Sequence, residues 1–306
     1  SYNFGNSDEF GTIADSTING FGSGNERNHQ PFFIGGSRFI ENDNSGSDLV
    51  TIKIPQGYTV NLGGILTLGL VSQGWKTNQV NAGIITDKSE KYDNWILNLA
   101  YDGPGINYRT IKGPTENYHI SRSTDGYVGY KVALALVQED SVNGGLILND
   151  TDGVIDFRGE KSIGMYTYLP SYDTNRDMVN KGKILLSGAS SYGMKFSAKR
   201  RNGANPIMEN QGTITLRKNP DLNAKDKADG AVGMALATDI SVNNGVLFDD
   251  NKAKNTSTGV INIEDTVENA VGMYIDIDSN MINEGNININ SKASASNKGN
   301  IGMRAD

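Results

Sequence analysis

The chain contains no cysteine, and only 7 prolines and 2 histidines among 306 residues. Without cysteine there can be no disulfide, no thiolate metal site and no cysteine nucleophile. The two histidines, His29 and His119, stand about ninety positions apart and offer no zinc-ligand spacing. Hydrophobic residues reach only 37%, below the usual globular range. No run of eighteen apolar residues occurs, so no transmembrane helix is expected. The opening stretch SYNFGNSDEF has neither a basic segment nor an apolar core and does not read as a signal peptide. Excess basic charge is missing too: the formal net charge is −7 with a pI near 5.0. That balance argues against nucleic acid and against anionic membrane surfaces as partners. What is present in excess is glycine, 37 residues, roughly 12% against a usual 7%. Asparagine is about as frequent. Both favour turns and left-handed backbone, so the chain must turn often.

Placement of these residues is regular. One phrase is Asn-x-Gly followed by an alternating apolar run. It occurs at Asn61–Gly63, Asn81–Gly83, Asn143–Gly145, Asn180–Gly182, Asn210–Gly212, Asn243–Gly245 and Asn283–Gly285. Weaker copies precede VIDF at Gly153 and VINI at Gly259. A second phrase, apolar-Gly-Met, occurs at Gly164-Met165, Gly193-Met194, Gly233-Met234, Gly272-Met273 and Gly302-Met303. Five of the 8 methionines thus fall in one slot. The combined unit recurs every roughly 30–40 residues, a period that signals a solenoid, propeller or array. Because the last residues, NKGNIGMRAD, stop inside a unit, the chain is expected to be a piece of something longer.

The runs VIDF, KILL, TITL, VINI and NINI alternate with period two, and no segment sustains a helical period. Alternation points Ile155 and Phe157, Ile184 and Leu186, Ile214 and Leu216, Ile261 and Ile263, and Ile287 and Ile289 to one face. A single rung cannot bury that face, but rungs stacked at about 4.8 Å can. Methionine would fill gaps in the column, glycine would allow close approach between rungs, and asparagine amides could bond up the stack. The expected fold is all-β: a right-handed parallel β-helix of about twelve rungs with loop insertions. Residues 1–58 are expected to form an irregular start or a surface subdomain. Residues 59–306 are expected to form the β-helix, interrupted by an aromatic-rich insertion at about 87–130.

The segments NKGKILLSGASSYGMK and STGVINIEDTVENAVGMY resemble repeats of large bacterial autotransporter (type V secretion) passengers. They are most similar to the giant outer-membrane adhesins of fusobacteria, of the arginine-inhibitable or galactose-inhibitable type. The resemblance covers 142–306 well and 60–86 loosely. It implies a virulence- and coaggregation-linked adhesin at the cell surface, held at the outer membrane by a C-terminal barrel outside this chain. It implies recognition of a host-cell glycan (galactose-containing among them), a surface protein receptor or a partner bacterium, by a monomeric rod. Absence of cysteine fits passengers that cross the periplasm unfolded. Two other readings stay open: an inert spacer that presents a distal tip, and a polysaccharide-active β-helix enzyme.

Candidate contact residues fall in two places. The insertion carries Tyr92, Trp95, Tyr101, Asp102, Tyr108 and Tyr118. Aromatic faces beside planar polar groups suit sugar rings and protein hot spots; the same residues could equally build a small core for the insertion. The segment 196–209 carries Lys199, Arg200 and Arg201, expected to project from a rung corner toward an anionic group or to be merely solvated. Loops 217–230, 249–258 and 290–299 are expected to occupy one equivalent position between the two phrases. No Gly-x-Ser-x-Gly elbow, P-loop or dinucleotide fingerprint occurs, so no catalytic residue is assigned. Neither Asp249-Asp250-Asn251 nor Asp276-x-Asp278-x-Asn280 completes a calcium loop. No cofactor or metal is expected.

Overall fold

A computed structural model describes residues 2–4, 31–34, 37–42, 50–54, 56–57, 59–62, 68–74, 77–87, 96–101, 106–112, 117–118, 131–137, 146–173, 177–200, 207–236, 252–275, 280–290 and 299–306. Its regular elements are all strands. Three sheets of seven, eight and nine strands hold most of them. Sheet I comprises Val50–Ile54, Thr77–Asn81, Leu146–Asn149, Asp177–Asn180, Met208–Asn210, Lys252–Asn255 and Asn280–Asn283. Sheet II comprises Tyr2–Phe4, Thr59–Leu62, Ile84–Thr86, Val154–Phe157, Lys183–Leu186, Thr213–Leu216, Val260–Ile263 and Asn286–Ile289. Sheet III comprises Pro31–Ile34, Ser37–Asn42, Leu68–Gly74, Lys131–Val137, Ser162–Asp173, Tyr192–Arg200, Val232–Leu236, Val271–Ile275 and Ile301–Ala305. The chain visits I, II and III in turn and then repeats. Every pairing within these sheets is parallel except Pro31–Ile34 with Ser37–Asn42, which closes one edge of sheet III. This is a parallel β-helix.

Among the described residues the stack holds seven to nine strands per sheet, against about twelve rungs expected from length. The reason is that rungs consume more residues than a bare coil. Sheet II strands begin at 59, 84, 154, 183, 213, 260 and 286, so one turn costs as few as 25 residues and, where the insertion intervenes between 84 and 154, as many as 70. The surplus lies at two corners. The I–II corner is always short: Asn180 to Lys183, Asn210 to Thr213 and Asn283 to Asn286 are joined by two residues each. The other corners vary from rung to rung.

In register, Ile155, Ile184, Ile214, Ile261 and Ile287 form one column, and Phe157, Leu186, Leu216, Ile263 and Ile289 the next. All are buried except in the last rung, where Ile287 is partly covered and Ile289 is 39% exposed. Sheet III contributes Met165, Met194, Met234, Met273 and Met303 in register. Sheet I contributes Met178, Met208, Ala253 and Met281. All eight methionines therefore line the interior stacks, where an unbranched side chain adapts to irregular gaps.

Glycine precedes each sheet III methionine within its strand, and for all but the last a side chain there would meet the next rung's backbone and a sheet II isoleucine. A Cβ at Gly193 would lie 2.5 Å from the Gly233 carbonyl oxygen and 2.8 Å from Ile214 Cγ2. The same conflict recurs at Gly164, Gly233 and Gly272. At the I–II corner a Cβ on Gly182 would lie 2.1 Å from the Gly153 oxygen.

Candidate functional site

An interior column of asparagines sits at the I–II corner. Asn81 Nδ2 donates to Asn149 Oδ1, Asn149 to Asn180, Asn180 to Asn210, Asn210 to Asn255 and Asn255 to Asn283, each at 2.9 Å. The amides of Asn149, Asn180, Asn210 and Asn255 are fully buried and are also tied to nearby carbonyls. Every member meets the demand that buried polar groups be bonded. Two of its residues, Asn149 and Asn255, belong to longer corners, Asn-x-x-x-Gly, ending at Gly153 and Gly259. The signal that would have found them is an asparagine four residues before the weaker Gly-strand copies.

Asn61 lies elsewhere, inside a sheet II strand opposite Thr86. In its rung the ladder position is taken by Ile54, opposite Asn81. Asn143, Gly145, Asn243, Gly245 and Gly63 lie outside the described residues. The column is scaffold: it presents no group to solvent except at Asn283.

The three insertion tyrosines that the structure describes occupy a separate antiparallel sheet of Ile96–Tyr101, Ile106–Lys112 and Asn117–Tyr118. Tyr101 is opposite Ile106, Tyr108 opposite Leu99, and Tyr118 opposite Ile111, with a register shift between Tyr108 and Thr110. Tyr92, Trp95 and Asp102 lie outside the described residues. Lys199 and Arg200 do not stand on a corner loop: they end the nine-residue strand Tyr192–Arg200, with Arg200 opposite Asp173. The strand runs on past the methionine because it pairs with the twelve-residue Ser162–Asp173. Arg201 lies outside the described residues. Of the three equivalent loops expected, 217–230 and 290–299 do join sheets II and III. Residues 249–258 do not, because they contain the sheet I strand Lys252–Asn255.

Sequence reasoning missed an ionic cluster at the outer edge of sheet II. Asp156 is nearly buried, with 9% side-chain exposure. Its carboxylate accepts from Arg158 Nε at 2.9 Å and Nη2 at 3.1 Å, and from Arg217 Nη2 at 3.1 Å. Arg217 Nε also donates to Ser187 Oγ at 3.1 Å. Asp87, from an earlier rung, accepts from the backbone N–H groups of Arg158 and Gly159. Burial opposes the charge on Arg158, but Asp156 and Asp221 outweigh it and raise its pKa. Burial pushes the Glu264 carboxyl upward, with Arg217 opposing and Asp265 adding to the shift. The available signal was positional: Arg158 and Arg217 each directly follow an inward residue, Phe157 or Leu216, at the end of a sheet II strand.

The outward column of sheet III runs Ala135, Tyr166, Lys195, Ala235, Tyr274 and Arg304. Ala135, Tyr166, Lys195 and Ala235 are buried, and the column emerges only at Tyr274 and Arg304. The Lys195 ammonium lies 4.2 Å from the centre of the Tyr192 ring and 5.7 Å from that of Tyr166, cation–π distances. This face is covered within the chain. Among the described residues no group of three or more His, Asp or Glu could hold a metal ion.

Stacked amides, stacked methionines and glycine corners define a parallel β-helix of pectate-lyase-like shape. The model of the BigA third pectate lyase-like domain matches residues 35–306, and the chain belongs to that family. It is thereby a β-helix domain of the bacterial surface-protein kind. The name describes a shape and carries no activity to this chain. No curated protein and no solved structure matches it.

Proposed function

We propose that the chain is a non-catalytic segment of a cell-surface adhesin, an autotransporter passenger akin to the large fusobacterial adhesins and displayed at the outer membrane. It recognises a host-cell glycan or receptor, or a partner bacterium, through segments carried at the rung corners. The observation supporting this reading is the division between corners. The I–II corner is short and locked by the amide ladder, while the II–III and III–I corners vary in length on a constant scaffold. Variable segments on a rigid repeat are how solenoids build binding faces. Turnover is not expected, since Asp156, the most buried carboxylate described, is already bonded to two arginines.

The test is adhesion. Labelled chain is titrated onto epithelial cells and partner bacteria, with galactose and arginine as competitors, alongside a glycan array. Saturable binding, blocked by excess unlabelled chain, is the expected result. A folded chain that binds none of these surfaces would sink the adhesive reading and leave the spacer reading. That second reading draws its support from the unbroken parallel register between Val154–Phe157 and Asn286–Ile289, which suits a stiff rod.

A further inference from the structure

The II–III connection between Leu216 and Val232 differs from its neighbours. It closes on itself through an antiparallel bridge, Lys218 with Lys227. The Asn219 N–H donates to the Asp226 carbonyl at 2.8 Å, and the Ala224 N–H to the Asp221 carbonyl at 3.1 Å. Asn223 turns the apex with φ of 65°. The tip is also bolted to the rod from two rungs away. Arg158, whose side chain is only 11% exposed, donates Nη1 to Asn219 Oδ1 at 3.3 Å and to the Asp221 carboxylate. The far limb is tied to the next rung, since Lys227 Nζ donates to the Thr266 carbonyl at 2.7 Å.

What this bracing holds up is Leu222, directly after the anchored Asp221. Leu222 is 92% exposed, whereas the other large exposed apolar side chains described lie between 37% and 45%. A lone surface leucine needs no explanation. A leucine at the apex of a tip immobilised by a nearly buried arginine is different, because the entropy of ordering the tip is already spent. Charge adds a second observation. Arg158 engages Asp221, and Lys227 pairs with Asp229 at 3.7 Å. The exposed charges left at the apex are Lys218, Lys225 and Asp226, a local cationic excess on a chain of net −7.

We propose that the 218–227 tip is a protein-docking knob: Leu222 enters an apolar pocket on a partner protein, and Lys218 and Lys225 meet carboxylates on the pocket's rim. On a chain of net −7 the local cationic excess at the apex favours an acidic partner there, so the two lysines steer the encounter and the leucine sets its lifetime. Buried leucine rather than sugar stacking is the contact, because the apex carries no aromatic ring.

The proposal rests on the adhesive reading, and the experiment separates the two. Binding of the labelled chain to intact epithelial cells is compared for wild type, Leu222→Asp, Lys218→Glu with Lys225→Glu, and Arg158→Ala, with thermal melts alongside. Leu222→Asp should lose at least tenfold in affinity with an unchanged melt, because the side chain touches nothing it would leave. The double lysine variant should bind several-fold more weakly and less so as salt rises. Arg158→Ala should bind more weakly, because it frees the tip and leaves the Asp221 carboxylate uncompensated beside the two lysines. Protease treatment of the cells should abolish binding. Wild-type binding equal to that of Leu222→Asp overturns the knob alone. Binding that survives protease and is lost to periodate does so too. Absence of wild-type binding overturns both knob and adhesion.

Discussion

The asparagine ladder is directional, and that makes its members unequal. Asn180 accepts from Asn149 and donates to Asn210 and to the Thr213 carbonyl. Replacing it by leucine removes the nearest acceptor of the Asn149 amide and the amide donor to Asn210 Oδ1, both fully buried. Stranded groups of this kind cost about 1–3 kcal/mol apiece, so Asn180→Leu should lower stability by about 3 kcal/mol in urea titration. Asn283→Leu, at the exposed end of the column, should cost under about 1 kcal/mol. Equal losses would show that the ladder does not act through its bonds. Glycine in the methionine slot gives a parallel contrast. Gly193→Ala drives a methyl group into the Gly233 backbone, whereas at Gly302 the nearest atoms lie 3.8 Å away. The first should cost about 3 kcal/mol and the second almost nothing beyond helix-free backbone effects, as thermal melts of the two variants would show. Both columns were legible as residue types at a spacing. The members Asn149 and Asn255 were not, because two added corner residues move asparagine away from glycine without changing what the amide does. Asn61 and its glycine imitate the phrase by chance of composition, in a rung whose corner is held by Ile54.

At the scale of elements, the II–III corner carries most of what the sequence left unread. Lys161, Ser190, Gly230 and Asn269 occupy the same place, two residues before the register column of Ile163, Tyr192, Val232 and Val271, and all have φ between 49° and 66°. Four different residue types share one left-handed conformation, so no motif marks it; the backbone hydrogen bonds from rung to rung enforce it. A non-glycine residue there carries a strain of about 1–2 kcal/mol, partly offset by glycine's greater unfolded freedom. Ser190→Gly should therefore stabilise by about 0.5–1 kcal/mol, and a lower melting temperature for the variant would refute the strain argument. Along the same edge stands Glu264, whose pKa is raised chiefly by burial. A carboxyl raised in the folded state contributes most when protonated, so its own contribution grows as pH falls through the folded pKa toward the unfolded value. Glu264→Gln should be more stable than wild type at neutral pH, with the difference shrinking under acid. A constant difference across that range would rule the effect out. Long-range partners such as Arg158 with Asp87 and Asn219 were invisible for a plain reason. They lie 71 and 61 positions apart in sequence, and only the fold sets them one or two rungs apart.

In the described stack the strands of each rung pair only with those of its neighbours, and a few side chains such as Arg158 and Arg217 reach one rung further, so its stability is approximately a sum of rung terms and interface terms. Two methionines in one column test that picture directly. Met194 is fully buried, flanked in register by Met165 and Met234, while Met303 is 45% exposed and paired on one side by Met273. Truncating a buried methionine to alanine typically costs about 2–5 kcal/mol, including the cavity left behind. For Met194→Ala the loss falls on two interfaces at once. Backbone amides in Ser162–Asp173 and Val232–Leu236 should exchange hydrogen faster, and the effect should fade toward Ile301–Ala305. Because a weakened interface divides the stack into two halves, the urea transition should broaden or split. Met303→Ala removes one partly solvated contact, so its transition should keep the wild-type slope with a midpoint barely moved. If both variants instead lowered protection evenly from Leu146–Asn149 to Ile301–Ala305, the rod would be unfolding as one cooperative unit. The corner segments would then be coupled through the scaffold rather than carried by it. Local loss around Met194 would mean that each corner, including the Leu222 tip, rests on its own few rungs and can be altered without disturbing the others.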